Sequence, residues 1–123
     1  MDTHVALWVM EGDARFGAEA RAVVGAPGQQ IVVSAASVWE IAIKAKAGKL
    51  QPPDDLLGAL GATGFRLLSI TPEHALAAGR LPLHHRDPFD RMLVAQAVAE
   101  GHTLVTADAA LAAYDVALLP ADR

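Results

Sequence analysis

The 123-residue chain contains no cysteine. That absence excludes disulfides and thiolate metal sites, and it suits a reducing compartment. Aromatic residues make up only 5% of a chain that is 53% hydrophobic, so the core must be packed mainly from Ala, Leu and Val. No apolar run reaches the roughly 18 residues that a bilayer span requires. The start, Met1-Asp2-Thr3-His4, lacks the basic segment that opens a secretory signal. Together these absences set the expectation of a cytoplasmic protein with no membrane role. Positive charge is scarce as well. Ten Lys and Arg stand against fourteen Asp and Glu, a formal net charge of −4. A domain with that balance does not hold a polyanion through a simple basic patch. Any RNA or DNA chemistry needs metal ions or a local basic strip to offset its field.

The length suits one domain over residues 1–123. The mean hydropathy of +0.29 predicts strands buried on both faces, or an apolar surface reserved for a partner. Strand and helix patterns alternate along the chain. A one-faced helix is expected between Asp13 and Val24, and Pro27-Gly28 marks a turn. The β-branched run Ile31-Val32-Val33 predicts a buried strand. A helix follows at once, capped by Ser34 or Ser37 and ended by Gly48, with Lys44 and Lys46 near its negative end. Pro52-Pro53 opens another helix running to about Ala62, with Asp54-Asp55 at its start, and Phe65 to Ile70 reads as a strand. Thr71-Pro72-Glu73 starts a further helix. Thr103 to Thr106 and Val116 to Leu119 read as strands, with a helical turn over Leu111 to Tyr114 between them. Such alternation predicts an α/β fold, a three-layer sandwich around a mostly parallel central sheet.

The chain is organised around Leu83-His84-His85-Arg86-Asp87-Pro88-Phe89-Asp90-Arg91-Met92-Leu93-Val94-Ala95-Gln96. Asp87 has the chemistry of an N-cap and Pro88 suits the first helical position. Asp90 then falls in the first turn, where free N–H groups and the helix dipole favour an anion. From Met92 to Ala99 only Gln96 is polar, so this helix is expected to be buried over most of its circumference.

In an open parallel sheet, ligands bind beyond the carboxyl ends of the strands. Four acids map to that edge: Asp2, Glu40, Asp90 and Asp108. Glu40 keeps two readings at this level. With Ser37 as cap it is the return acid of a capping box; with Ser34 as cap it looks out over the strand end. Clustered carboxylates raise one another's pKa unless a cation joins them. An all-oxygen set suits Mg²⁺ or Mn²⁺ over zinc. The chemistry implied is metal-assisted phosphodiester hydrolysis, in which the ion brings the polyanion to an acidic pocket.

Four blocks carry a family resemblance: Asp2-Thr3-His4-Val5-Ala6-Leu7-Trp8; Ser34 to Lys44; His84-His85-Arg86-Asp87-Pro88-Phe89-Asp90-Arg91; and Leu104-Val105-Thr106-Ala107-Asp108. In order, and over nearly the whole chain, they resemble PIN domains, and more narrowly the VapC-type ribonuclease toxins of toxin–antitoxin pairs. The resemblance implies a Mg²⁺- or Mn²⁺-dependent endoribonuclease held inactive by a small VapB-like antitoxin, commonly a homodimer, with RNA as substrate. It implies Asp2 and Asp90 as direct metal ligands, Glu40 completing or water-bridging the site, and Asp108 supporting a second ion or orienting water.

On the RNA side the candidates are Arg86, Arg91, Lys44 and Thr106. Arg86 and Arg91 can hold phosphates or pair with Asp87 and Asp90. Lys44 starts a basic strip with Lys46 and Lys49, and Thr106 is placed to hydrogen-bond a site carboxylate. His84 and His85 are neighbours on an extended loop and point apart, which argues against a joint metal site. Trp8 and Trp39 are read as core or antitoxin-groove residues.

Two departures from the family pattern matter. Similar proteins carry several apolar residues before the first Asp, whereas Met1 directly precedes Asp2 here. The first strand is thus truncated, and the expectation is that the full-length gene product begins several residues upstream. Ala107 also stands between Thr106 and Asp108, where many relatives have a basic residue. The competing reading is a catalytically inactive PIN-like domain that only binds its antitoxin, because a loose Asp2 could not fix a metal.

Overall fold

The computed structural model describes residues 1–123. Helix α1 (Thr3–Glu11) begins directly after Asp2, and α2 is Ala18–Val24. Strand β1 (Val32–Ser34) leads without a loop into α3 (Ala35–Lys46). Helix α4 (Leu56–Thr63), strand β2 (Arg66–Leu68) and helix α5 (Pro72–Arg80) follow. Helix α6 (Pro88–Glu100) precedes β3 (Leu104–Thr106), a 3₁₀ turn at Ala109–Ala113, and β4 (Leu118–Pro120).

The local chemistry behind these boundaries is plain. Ser34 is the cap of α3, its Oγ accepting from the Ala36 N–H at 3.0 Å, and so Glu40 is released from capping. Asp87 caps α6 by accepting from the Phe89 N–H at 2.8 Å, with Pro88 at the first position. Asp55 caps α4. At the far end of α6, Gly101 adopts φ of 67°, a left-handed conformation that turns the chain back toward β3 and that glycine adopts without a Cβ penalty.

All strand pairing is parallel, as the alternation predicts, but the sheet is not continuous. β1 pairs with β2, placing Val33 opposite Leu67, and β3 pairs with β4, placing Val105 opposite Leu119. Met1 and Asp2 link the two pairs through backbone hydrogen bonds. The Met1 amine donates to the Val32 carbonyl at 3.0 Å, and the Asp2 N–H donates to the Val105 carbonyl at 2.8 Å. These two residues stand where the end of a strand between β1 and β3 would lie. Beyond Met1 the space between the strands is a cavity of about 480 Å³, lined among others by Ile31, Val32, Leu93, Gln96, Thr103 and Leu104. Buried Gln96 lines it with an Oε1 that has no hydrogen-bond partner.

The core falls into two clusters, and the first spans the break in the sheet, since it holds both Val33 of β1 and Val105 of β3. Met1, Val5, Ala6, Phe16, Val33, Leu60, Phe65 and Val105 pack together under α1 and α4. Ala36, Leu93, Val94, Leu104, Leu111 and Tyr114 form a second cluster around α6. The strand ends lead to the candidate acids: Ser34 at the end of β1 opens α3, which carries Glu40, and Thr106 at the end of β3 bonds Asp2 and the Asp108 N–H.

Candidate metal centre

Asp2 is not a loose chain end. It is buried, it caps α1, and its backbone is tied to β3. Its Oδ2 accepts from Thr106 Oγ1 at 2.7 Å, while Oδ1 faces the His4 N–H at 3.3 Å. Thr106 in turn accepts from the Asp108 N–H at 3.0 Å. One buried hydroxyl at the end of β3 therefore orients both the first and the last acid of the set.

Glu40 is buried on α3 and its Oε2 accepts from Lys44 Nζ at 2.7 Å, one helical turn on. Asp90 sits in the first turn of α6. Burial pushes its pKa up from 3.8 to about 7, and the neighbouring charges of Asp2, Asp87 and Glu40 push the same way, opposed only by His85. That pattern is the electrostatic signature of acids converging on one space. Asp108 caps the 3₁₀ turn through Oδ1, accepting from the Ala110 N–H at 3.0 Å. Its Oδ2 accepts from His85 Nε2 at 3.0 Å, and that nitrogen lies 3.4 Å from Asp90 Oδ2. His85, Asp90 and Asp108 thus present ligand-type atoms within 4.8 Å of one another. Repelling carboxylates with oxygen donors fit a hard divalent cation, so Mg²⁺ or Mn²⁺ suits the residues present.

The RNA-side expectations change more. Arg91 is buried and reaches neither a phosphate site nor Asp87 or Asp90. Its Nη2 donates to the carbonyls of Ala78 at 2.9 Å and Leu81 at 3.0 Å, and Nη1 to that of Pro82 at 3.0 Å. A cation placed there satisfies the free carbonyls at the C-terminus of α5 and holds the loop into α6. Tyr114 completes the brace: its hydroxyl donates to the Pro82 carbonyl at 2.8 Å and accepts from the His85 N–H at 3.0 Å. Arg91→Lys, which loses the fork, is expected to cost about 3 kcal/mol of stability. The check is a lower urea midpoint at unchanged slope.

Thr106 does bond a site carboxylate, as its place in the sequence suggests: its buried hydroxyl is engaged by Asp2 and Asp108, and only its expected role as an RNA contact is corrected. Lys44 is paired with Glu40. Of the RNA-side set, Arg86 alone lies exposed, on the loop beside His85. His85 is the site residue that sequence reasoning passed over. The two histidines do point apart: His84 packs its ring edge-on to Tyr114, with centroids 5.2 Å apart, while His85 turns to the acids. The pairing rule dismissed both together, though it excludes only a joint site.

Comparison with known proteins agrees with this architecture. A model of the PIN domain family matches residues 1–117. The chain belongs to the PIN-domain family. Within it, the chain is of the VapC type: it is 33% identical over 118 residues to Ribonuclease VapC22 of Mycobacterium tuberculosis (strain ATCC 25618 / H37Rv), an alignment covering 93% of this PIN domain and 89% of that protein. Among solved structures, VapBC2 from Rickettsia felis, bound to a DNA fragment from its promoter, matches with a TM-score of 0.72 at 14% identity. The match covers 97% of this PIN domain and 95% of that chain, and at such low identity it speaks for the fold. No helix of this PIN domain is long and apolar enough to cross a membrane.

Proposed function

We propose that this PIN domain is a Mg²⁺- or Mn²⁺-dependent endoribonuclease, the toxin of a toxin–antitoxin pair, acting in the cytoplasm as one domain over residues 1–123. The observation that carries the reading is geometric: Asp90 and Asp108 present oxygens within 4.8 Å of one another beside His85. The raised proton affinity of Asp90, to which Asp2 and Glu40 contribute, agrees with it. The relative named Ribonuclease VapC22 supports RNA as substrate. The VapBC2 complex supports a VapB-like antitoxin as partner. An exposed apolar groove lined by Val38, Trp39, Ala42, Leu57 and Leu67 supplies a surface for such a partner. Trp39, 63% exposed and packed edge-on to Phe89, stands at its rim. A homodimer is part of the same proposal.

In this reading Asp2 and Asp90 are the first ligands, with Glu40 and Asp108 completing the cup. A bound divalent ion supplies Lewis acidity and a water made nucleophilic near neutral pH. The chain does the rest. Thr106 holds the Asp2 carboxylate in one orientation, Lys44 balances Glu40, and Asp87 spends its charge on the α6 N–H groups. Arg86 is the exposed cation available to a flanking phosphate.

The binding-only alternative rested on a disordered first acid, and the tethering of Asp2 on both its backbone and its side chain argues against it. The test is cleavage of RNA by the purified chain. Cleavage is expected with Mg²⁺ or Mn²⁺, is abolished by EDTA, and returns when either ion is added back. Cleavage indifferent to EDTA would remove the metal from the mechanism. Antitoxin binding without any cleavage would leave the binding-only reading in its place.

A further inference from the structure

His85 stands between two of the acids, and its backbone is held more firmly than a surface loop requires. The His85 N–H donates to Tyr114 Oη at 3.0 Å, and its carbonyl lies 3.4 Å from Arg91 Nη1. Its ring is oriented at both nitrogens. The Asp87 N–H donates to Nδ1 at 3.1 Å. A backbone N–H can only donate, so Nδ1 is the lone-pair nitrogen of the neutral ring and the ring proton resides on Nε2. That Nε2–H is directed at Asp108 Oδ2, 3.0 Å away, with Asp90 Oδ2 at 3.4 Å. A nitrogen carrying its proton has no lone pair for a cation. His85 is thus set up to act on the carboxylates, although its distances alone would suit a ligand.

We propose that His85 is a positioning residue of the acidic site, whose Nε2–H holds the Asp108 carboxylate, next to Asp90, in the orientation that receives a divalent cation. Asp108 has one oxygen engaged by the Ala110 N–H and the other by His85. These two donors fix the plane of a carboxylate whose residue is only partly buried and would otherwise rotate. Hydrogen bonds of this kind, one step removed from a metal, orient the groups that bind it. The inference rests on the reading that these acids take up Mg²⁺ or Mn²⁺.

Side-chain chemistry offers a test that separates this role from support of the loop. The amide nitrogen of a glutamine reaches about where Nε2 lies, so His85→Gln keeps the donor to Asp108 and loses the acceptor for the Asp87 N–H. His85→Asn does the reverse. The experiment measures Mn²⁺ affinity of the full chain by titration with detection of free Mn²⁺ by electron paramagnetic resonance. Circular dichroism confirms that each variant is folded. His85→Gln is expected to bind Mn²⁺ within about threefold of the wild type, and His85→Asn and His85→Ala about tenfold or more weaker. Nitrogen-15 NMR of the metal-free wild type is expected to show the Nε2–H tautomer of His85.

Rescue by Asn and not by Gln would assign His85 to the loop alone and overturn the proposal. An Nδ1–H tautomer, or three variants indistinguishable from the wild type, would do the same. A wild-type chain that binds no Mn²⁺ would instead bring down the metal reading on which the inference stands. Should His85→Ala fail to fold, the comparison of Gln with Asn still decides.

Discussion

Asp90→Asn is expected to reduce metal-dependent RNA cleavage by at least about 100-fold while making the metal-free protein more stable above pH 7. The two effects have one source. In the unfolded chain the Asp90 carboxyl ionises near its ordinary 3.8; in the folded chain it does so near 7, because burial and the charges of Asp2, Asp87 and Glu40 disfavour a further anion. Below about pH 4 both states keep the proton and the fold carries no penalty. As pH rises from about 4 to about 7 the unfolded chain releases the proton first, so stability falls, and above 7 the full penalty is present. The raw shift is discounted because water reaches part of this carboxyl, which leaves a cost of about 2 kcal/mol.

Asparagine keeps the shape and cannot ionise, so the melting temperature of the variant should exceed that of the wild type by about 5 °C at pH 8. The difference should vanish near pH 4. Added Mn²⁺ reverses the order, since a cation that binds only the folded wild type stabilises it by mass action. A hundredfold loss of rate corresponds to about 2.7 kcal/mol of transition-state stabilisation. Thermal scans at pH 4 and pH 8, with and without Mn²⁺, and a cleavage assay measure every arm. A variant less stable than the wild type at pH 8 without metal would mean that Asp90 is held by favourable contacts and is no member of a repelling cluster.

How far this site could be read from the sequence depends on the range of the interaction that builds each part. The caps are local. Ser34 and Asp87 engage backbone N–H groups two or three residues away, and such chemistry is visible in a short window. The proposal that Asp2, Glu40, Asp90 and Asp108 share one site came from one topological rule about the ends of parallel strands. The electrostatics of Asp90 agree with it for Asp2 and Glu40, and Asp108 stands near Asp90 across His85. Arg91 shows where that reasoning stops. It adjoins Asp90 in the chain, but one helical residue is a rotation of about 100°. Asp90 faces the acids while Arg91 is carried under the C-terminus of α5. Nothing near residue 91 announces the carbonyls of Ala78 and Leu81, because they arrive through tertiary packing of α5 on α6. His85 was missed for a related reason. Alternation says that neighbouring loop residues diverge, and only the fold says which of the two meets Asp108. The break in the sheet was foreshadowed by the single residue before Asp2, yet the way Met1 and Asp2 bridge β1 and β3 appears only in three dimensions.

The cavity beyond Met1 leads to the second large effect. Joining four apolar, β-branched residues to the amine of Met1 is expected to raise the melting temperature by about 10 °C or more. At one end the gap is already one strand wide, because Met1 and Asp2 hydrogen-bond to Val32 on one side and Val105 on the other. Four residues at about 3.3 Å each cover roughly 13 Å, continuing between Ile31 and Leu104 with unpaired strand edges on both sides. Each buried branched side chain contributes about 2 kcal/mol and each net ladder hydrogen bond about 1, against about 2 per residue for ordering the chain. The balance is about 1 kcal/mol per residue, or about 4 in total. The extension also turns a buried amine into an amide. Burial lowers the pKa of that amine from 8.0 to about 6, and the amide N–H that replaces it keeps the bond to the Val32 carbonyl without a charge to desolvate. A Gly-Ser extension of equal length lacks the side chains. One with proline at its second residue lacks a ladder N–H. Both should leave the melting temperature within about 2 °C of the parent. If all three extensions behave alike, the space between β1 and β3 closes or fills with water in solution, and the two strand pairs are independent supports for the acids above them.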